Sequence, residues 1–161
     1  MIVVGLDSAE LTGYAVVAAG PRERLTHHGT FTISGAADVE QAVATLAAMK
    51  PDLVAVEAPY VRLNAATGLT LAVLLGRWLQ AWERRGVATA TVLASTWQIQ
   101  ILGGLVDRRS DRATRKRAAR LWTRSTFAVE LGEDEADAAG IATWAARRAV
   151  MDQRTRVAGS R

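Results

Sequence analysis

Four carboxylates are spaced so that secondary structure can gather them at one point: Asp7 in VVGLDS, Glu57 in LVAVEAP, and Asp134 and Asp137 in GEDEADAAG. Asp7 and Glu57 each end a short apolar run of the kind that forms a buried strand. Asp134 and Asp137 lie three residues apart in a segment with helical spacing, which puts them on one helix face. Acids gathered in this way cannot all stay ionised at neutral pH unless cations neutralise them. The chemistry this implies is a divalent-metal site with oxygen ligands, and its natural use is on phosphodiesters.

Each acid also admits a plainer reading. Asp7 can start a turn, and Asp134 can cap a helix whose first turn, Glu133, Asp134 and Glu135, complements the helix dipole. Asp137 fits that reading poorly, because Ala136, Ala138 and Ala139 make its face too small-residued for a merely solvated helix. Glu57 fits it least, since it ends a strand that should be buried and has no basic neighbour in sequence.

The elements that must position these acids follow from the hydrophobic pattern. IVVGLD (2–7), YAVVAAG (14–20), RLTHHGTFTI (24–33), LVAVEA (53–58) and VATATVL (87–93) read as five strands, with Thr12-Gly13 and Pro21-Arg22-Glu23 as turns. Residues 37–50 place Val39, Val43, Leu46 and Ala47 at helical spacing before the stop at Pro51. A long helix spans 64–86 and ends at Gly86, and a short helical stretch covers Ser95–Leu102. A basic helix starts at Arg112, and an amphipathic helix occupies 133–150. The order predicts an α/β fold with a five-stranded mixed sheet, three antiparallel strands and then parallel ones, flanked by helices. Strands one and four then lie side by side and bring Asp7 next to Glu57. Residues 1–150 form one domain, and 151–161 read as a polar, disordered C-terminal tail.

The 161 residues suffice for one domain with its own core. Cysteine is absent, which excludes disulfides and thiolate metal sites. No apolar run reaches the roughly 18–20 residues of a membrane span, and MIVVGLDS lacks the build of a signal peptide. The expectation is a cytoplasmic protein with no membrane partner. His27 and His28 alternate sides on an edge-like strand, too few for a histidine metal site or a Ser-His triad. Net charge is only +4, but residues 107–124 hold eight Arg and Lys against two Asp. That density points to a polyanion partner, the plainer reading being an exposed helix face.

Four motifs carry a resemblance: G-L-D-x-x-x-x-T-G-Y (5–14), A-V-E-x-x-Y (55–60), N-x(10)-L-G-R (64–77) and D-E-A-D-A-A-G-I-A (134–142). Together they resemble the ribonuclease H-like nuclease superfamily and, within it, the RuvC-type Holliday-junction resolvases, over essentially the whole domain. The resemblance implies a ribonuclease H-like fold and a metal site at Asp7, Glu57, Asp134 and Asp137. It implies two Mg²⁺ ions per site, with Mn²⁺ as a substitute, and hydrolysis leaving 5′-phosphate and 3′-hydroxyl ends. The implied partner is four-way or branched DNA, cut symmetrically by a homodimer, in a bacterial cytoplasm or that of a phage host. DNA contacts are implied for Tyr60, Arg62, Asn64, Arg108, Arg109, Arg112, Arg115, Lys116 and Arg117. Tyr60 corresponds to an aromatic that stacks at the junction point, and Lys116, with Arg112 or Arg115 as alternatives, to a lysine near the scissile phosphate. Trp78 and Trp82, four apart among apolar neighbours that include Leu74, suggest a second buried face on the long helix, read as the dimer interface or as a large core. Other readings are a nuclease acting on RNA–DNA hybrid or RNA, and a non-catalytic junction-binding module.

Overall fold

The computed structural model describes residues 1–59, 65–107 and 109–159, the side chains of 65 and 156–159 excepted. Five strands form one sheet: β1 (Ile2–Asp7), β2 (Leu11–Ala18), β3 (Arg24–Thr32), β4 (Leu53–Ala58) and β5 (Ala88–Leu93). Their order is β3-β2-β1-β4-β5. β1 pairs antiparallel with β2 and parallel with β4, so the sheet is mixed as expected. β3 and β5 are the edges, and β1, which carries Asp7, is central.

Alternation along the central strands sorts side chains onto two faces. Val4, Leu6, Val16, Val54 and Val56 point to one face and pack with α1 (Ala36–Ala47) and α2 (Ala65–Glu83). Val3, Ala15, Val17 and Ala55 point to the other, under α3 (Ala94–Leu102), α4 (Arg112–Phe127) and α5 (Glu133–Gly159). By the same parity Asp7 follows Val3 and Gly5, and Glu57 follows Ala55. Both carboxylates therefore rise on the α5 face.

Local chemistry sets the helix ends. Asp38 Oδ2 accepts from the amides of Ser34 and Gly35 at the start of α1, at 2.7 and 2.9 Å. Asp111 Oδ1 caps α4 by accepting from Thr114 N at 2.7 Å. Glu135 Oε2 accepts from Gly132 N at 2.8 Å, the return half of a capping box on α5. Ala128 closes α4 in the left-handed region at φ 56°.

Two expectations are refined. α5 continues as helix to Gly159, so residues 151–159 of the expected polar tail extend the last helix. A helix anchored over its first half can propagate through polar residues at little cost per residue. Trp78 and Trp82 are fully buried in the chain's own core, and Leu74 is 8% exposed. The doubled apolar stripe of α2 thus reflects a thick core beneath it, and these three residues are not on an outer surface.

Candidate active site

The site begins with the register of the two central parallel strands. Leu6 pairs with Val56, so the next residues along, Asp7 and Glu57, leave the sheet together at the same end. Asp7 also lies opposite Gly13 of β2. A Cβ added to Gly13 would overlap the backbone of Asp134, and one added to Gly5 would overlap the Ala138 carbonyl and the Ala142 amide. The glycines let α5 lie directly on the sheet backbone, and that approach carries Asp134 and Asp137 to Asp7.

Lys116 of α4 joins the acids. Its Nζ is 2.7 Å from Asp137 Oδ2, 3.2 Å from Asp134 Oδ1 and 3.5 Å from Asp7 Oδ2. Burial acts to lower its pKa, but the carboxylates, Asp137 foremost, outweigh it and hold the ammonium above the ordinary lysine value. One amine cannot offset the burial of several acids. Burial pushes Asp137 up to about 7 against the pull of Lys116, and raises Asp7 as well. Glu57 is also pushed up to about 7, by burial first and then by the Asp7 charge.

These acids fit a divalent cation on the observations of this structure. Asp137 Oδ1 is buried with no hydrogen-bond partner, an acceptor left for something positive. The donors are all carboxylate oxygens, the set that Mg²⁺ and Mn²⁺ prefer. As placed around Lys116, no three His, Asp or Glu side chains among the described residues are gathered closely enough to hold an ion.

No protein-family model matches the chain. The crossover junction endodeoxyribonuclease RuvC of Acidiphilium cryptum is 33% identical over 111 residues, 63% of this chain and 66% of that protein. Thermus thermophilus RuvC superposes with a TM-score of 0.72 at 22% identity, covering 88% of this chain and 91% of that one. The chain is a relative of the RuvC-type resolvases. Its ribonuclease H-like fold extends further, to the fowlpox virus Holliday junction resolvase, with a TM-score of 0.62 at 12% identity over 92% and 99% of the two chains.

Within this RuvC-type frame the remaining expected residues divide. Arg112 lies near enough to Asp7 to lower its pKa, alongside Lys116. Arg115 is half-buried beside a cavity of about 480 Å³ that Gln98, Gln100 and Asp107 also line. Arg117 faces outward with Arg120 and Arg124, and Arg109 is exposed in the turn before α4. Tyr60, Arg62, Asn64 and Arg108 lie outside the described residues.

One residue of the site was not anticipated. Trp97 of α3 is fully buried and donates from Nε1 to Glu57 Oε2 at 2.7 Å. Its signal in the sequence is faint: a tryptophan in a short helix directly after the fifth strand, with nothing to pair it with Glu57, 40 residues away. The His28–Glu135 contact was also unforeseen. His28 Nδ1 lies 2.8 Å from Glu135 Oε1 and ties the edge strand to the turn that holds Asp134.

Proposed function

We propose that this chain is a divalent-metal-dependent endonuclease that resolves four-way DNA junctions by hydrolysing phosphodiesters to 5′-phosphate and 3′-hydroxyl ends. The observation that carries the reading is the convergence of Asp7, Asp134 and Asp137 on one cation, with Glu57 beside Asp7 on the next strand. The likeness to RuvC in sequence and fold supports the choice of substrate. Asp7, Glu57, Asp134 and Asp137 would hold two Mg²⁺ ions, or Mn²⁺ in their place. Bound there, such ions would supply the activation of a water and the neutralisation of a departing 3′ oxygen.

The chain's own groups do the rest. The carboxylates hold their places because β1, β4 and α5 are locked by backbone packing, so little reorganisation accompanies reaction. Lys116, held at the acids by Asp7, Asp134 and Asp137, would meet the non-bridging oxygens of the phosphate to be cut. Arg109, Arg112, Arg115 and Arg117 grip flanking phosphates and position the arms without reading sequence. Tyr60, Arg62, Asn64 and Arg108 complete the DNA contacts. Symmetric nicking needs two sites related by a two-fold axis, hence a homodimer. Since Leu74, Trp78 and Trp82 are interior, the exposed Leu69 and Val73 are the large apolar side chains that α2 offers it among the described residues.

The test is cleavage of a mobile four-way junction with Mg²⁺, beside an RNA–DNA hybrid and single strands. Paired nicks on opposed strands of the junction are expected. Cutting of the hybrid alone would end the resolvase reading. Asp7→Asn should lower cleavage by about a thousandfold or more, some 4 kcal/mol of transition-state stabilisation, while junction binding is kept. Loss of binding together with cutting would instead make Asp7 structural.

A further inference from the structure

Glu57 differs from the three aspartates in what holds it. Lys116 makes its ion pairs with Asp7, Asp134 and Asp137, and with none of them does it bridge to Glu57. The hydrogen bond that Glu57 does receive comes from an uncharged donor, the Trp97 indole. This indole is not loosely placed. The ring is fully buried, and it is seated on Gly140 of α5, where an added Cβ would overlap the six-membered ring. Gly140 is three residues beyond Asp137, so the seat lies on the same face of α5, one turn along. A second bond fixes α3 from its other end: Trp144 Nε1 donates to Gln100 Oε1 at 2.8 Å.

We infer that Trp97 is a positioning residue for the metal site, a strut that locks the Glu57 carboxylate through Oε2 and sets its distance from Asp137 through the seat on Gly140. The inference rests on the metal-site reading given above. A carboxylate that must meet a cation through one oxygen gains from having the other fixed, because a single rotamer is then populated before the ion arrives. An aliphatic or phenyl side chain could fill the same space but could not donate. Of the described tryptophans in the interior, Trp78 and Trp82 leave their Nε1 atoms without partners, so the bond at Trp97 is not a default of burial.

The experiment compares Trp97→Phe with Trp144→Phe in the full chain. Each removes one indole donor and keeps an aromatic ring in place. Manganese binding without DNA, measured by titration calorimetry, should weaken about ten- to hundredfold in Trp97→Phe and stay within about twofold of the parent in Trp144→Phe. Junction cleavage should show the fall in kcat with KM for the junction unchanged, partly restored by raising Mn²⁺. Equal metal affinity in parent and Trp97→Phe, or equal losses in both variants, would overturn the positioning role. If Trp97→Phe does not fold, the parent decides by ¹⁵N-correlated NMR. Metal titration should shift the indole resonance that Glu57→Gln also shifts, and an unmoved resonance refutes the strut. A parent protein that binds no Mn²⁺ would bring down the metal-site reading itself, and this inference with it. A parent that binds Mn²⁺ while Trp97→Phe binds it equally well removes only the strut.

Discussion

The two faces of the sheet are built to opposite plans. Under α1 and α2 the gap is filled by bulk: Leu6, Leu46, Val39, Val43, Trp78 and Trp82 are all fully or almost fully buried. The indole nitrogens of that pair bond to nothing, so the rings serve as volume alone. Under α5 the gap is nearly closed. Ala138 and Ala142 lie over Gly5 of β1, Asp134 lies over Gly13 of β2, Ala136 and Ala139 are buried beside them, and Trp97 and Trp144 both donate hydrogen bonds. The difference teaches where precision is needed. A face that only has to exclude water tolerates large side chains with unmet donors. A face that must set carboxylates within reach of one another uses small residues, whose backbone contact leaves little slack.

The contrast is most severely tested at Gly5. Gly5→Ala drives a methyl group into the backbone of α5, which cannot swing away as a side chain could. We expect a loss of about 1–3 kcal/mol or more, at about 2–4 °C of Tm per kcal/mol, together with weaker metal binding. An unchanged Tm would mean that α5 is not seated on β1 as described.

Electrostatics on the α5 face give the next effect. Glu57 and Asp137 stand at about 7 in the folded chain, above their ordinary 4.5 and 3.8. Between those limits the folded state holds more protons than the unfolded one, so stability without divalent cations should fall as pH rises from about 4 to about 7 and level off beyond. Mg²⁺ should then raise Tm at pH 8 and do little at pH 5, where protons already neutralise the acids. Equal Mg²⁺ stabilisation at both values in thermal melts would count against the acid cluster as its binding site.

The structural face should respond mildly. Trp78→Phe removes volume and an unmet donor together, and should cost under about 1.5 kcal/mol with metal affinity untouched. A drop in manganese affinity like that expected of Trp97→Phe would erase the distinction between the faces. The smallest change is Gly76→Ala on exposed α2, where an added Cβ meets nothing within 4 Å. Removing glycine from a helix interior there should stabilise by about 0.5–1 kcal/mol in denaturant titration.

Much of this site is legible in the chain because its key distances are set by local periods. The parity of a strand places Asp7 and Glu57 on one face once the apolar runs are paired in parallel, and a three-residue spacing places Asp134 with Asp137. Lys116 was legible only through the resemblance, with Arg112 or Arg115 left as alternatives, since nothing local in a basic run distinguishes the residue that reaches the acids from neighbours such as Arg112 and Arg117 that stay exposed. Trp78 and Trp82 were left between a dimer interface and a large core for a related reason. A broad apolar helix face looks the same whether a partner subunit or a deep core covers it, and the depth of the core depends on α1 and the sheet together.

The sequence by itself determined which residues could form the acid cluster, the strand order and the class of chemistry, because periodicity and residue type act over a few neighbours. Only the tertiary structure decided how close α5 comes to β1, that Lys116 bridges three acids, that α5 runs on to Gly159, and that Trp97 donates to Glu57. Those are contacts between elements far apart in the chain. They depend on the summed shape of two packed layers, a quantity that no local pattern encodes.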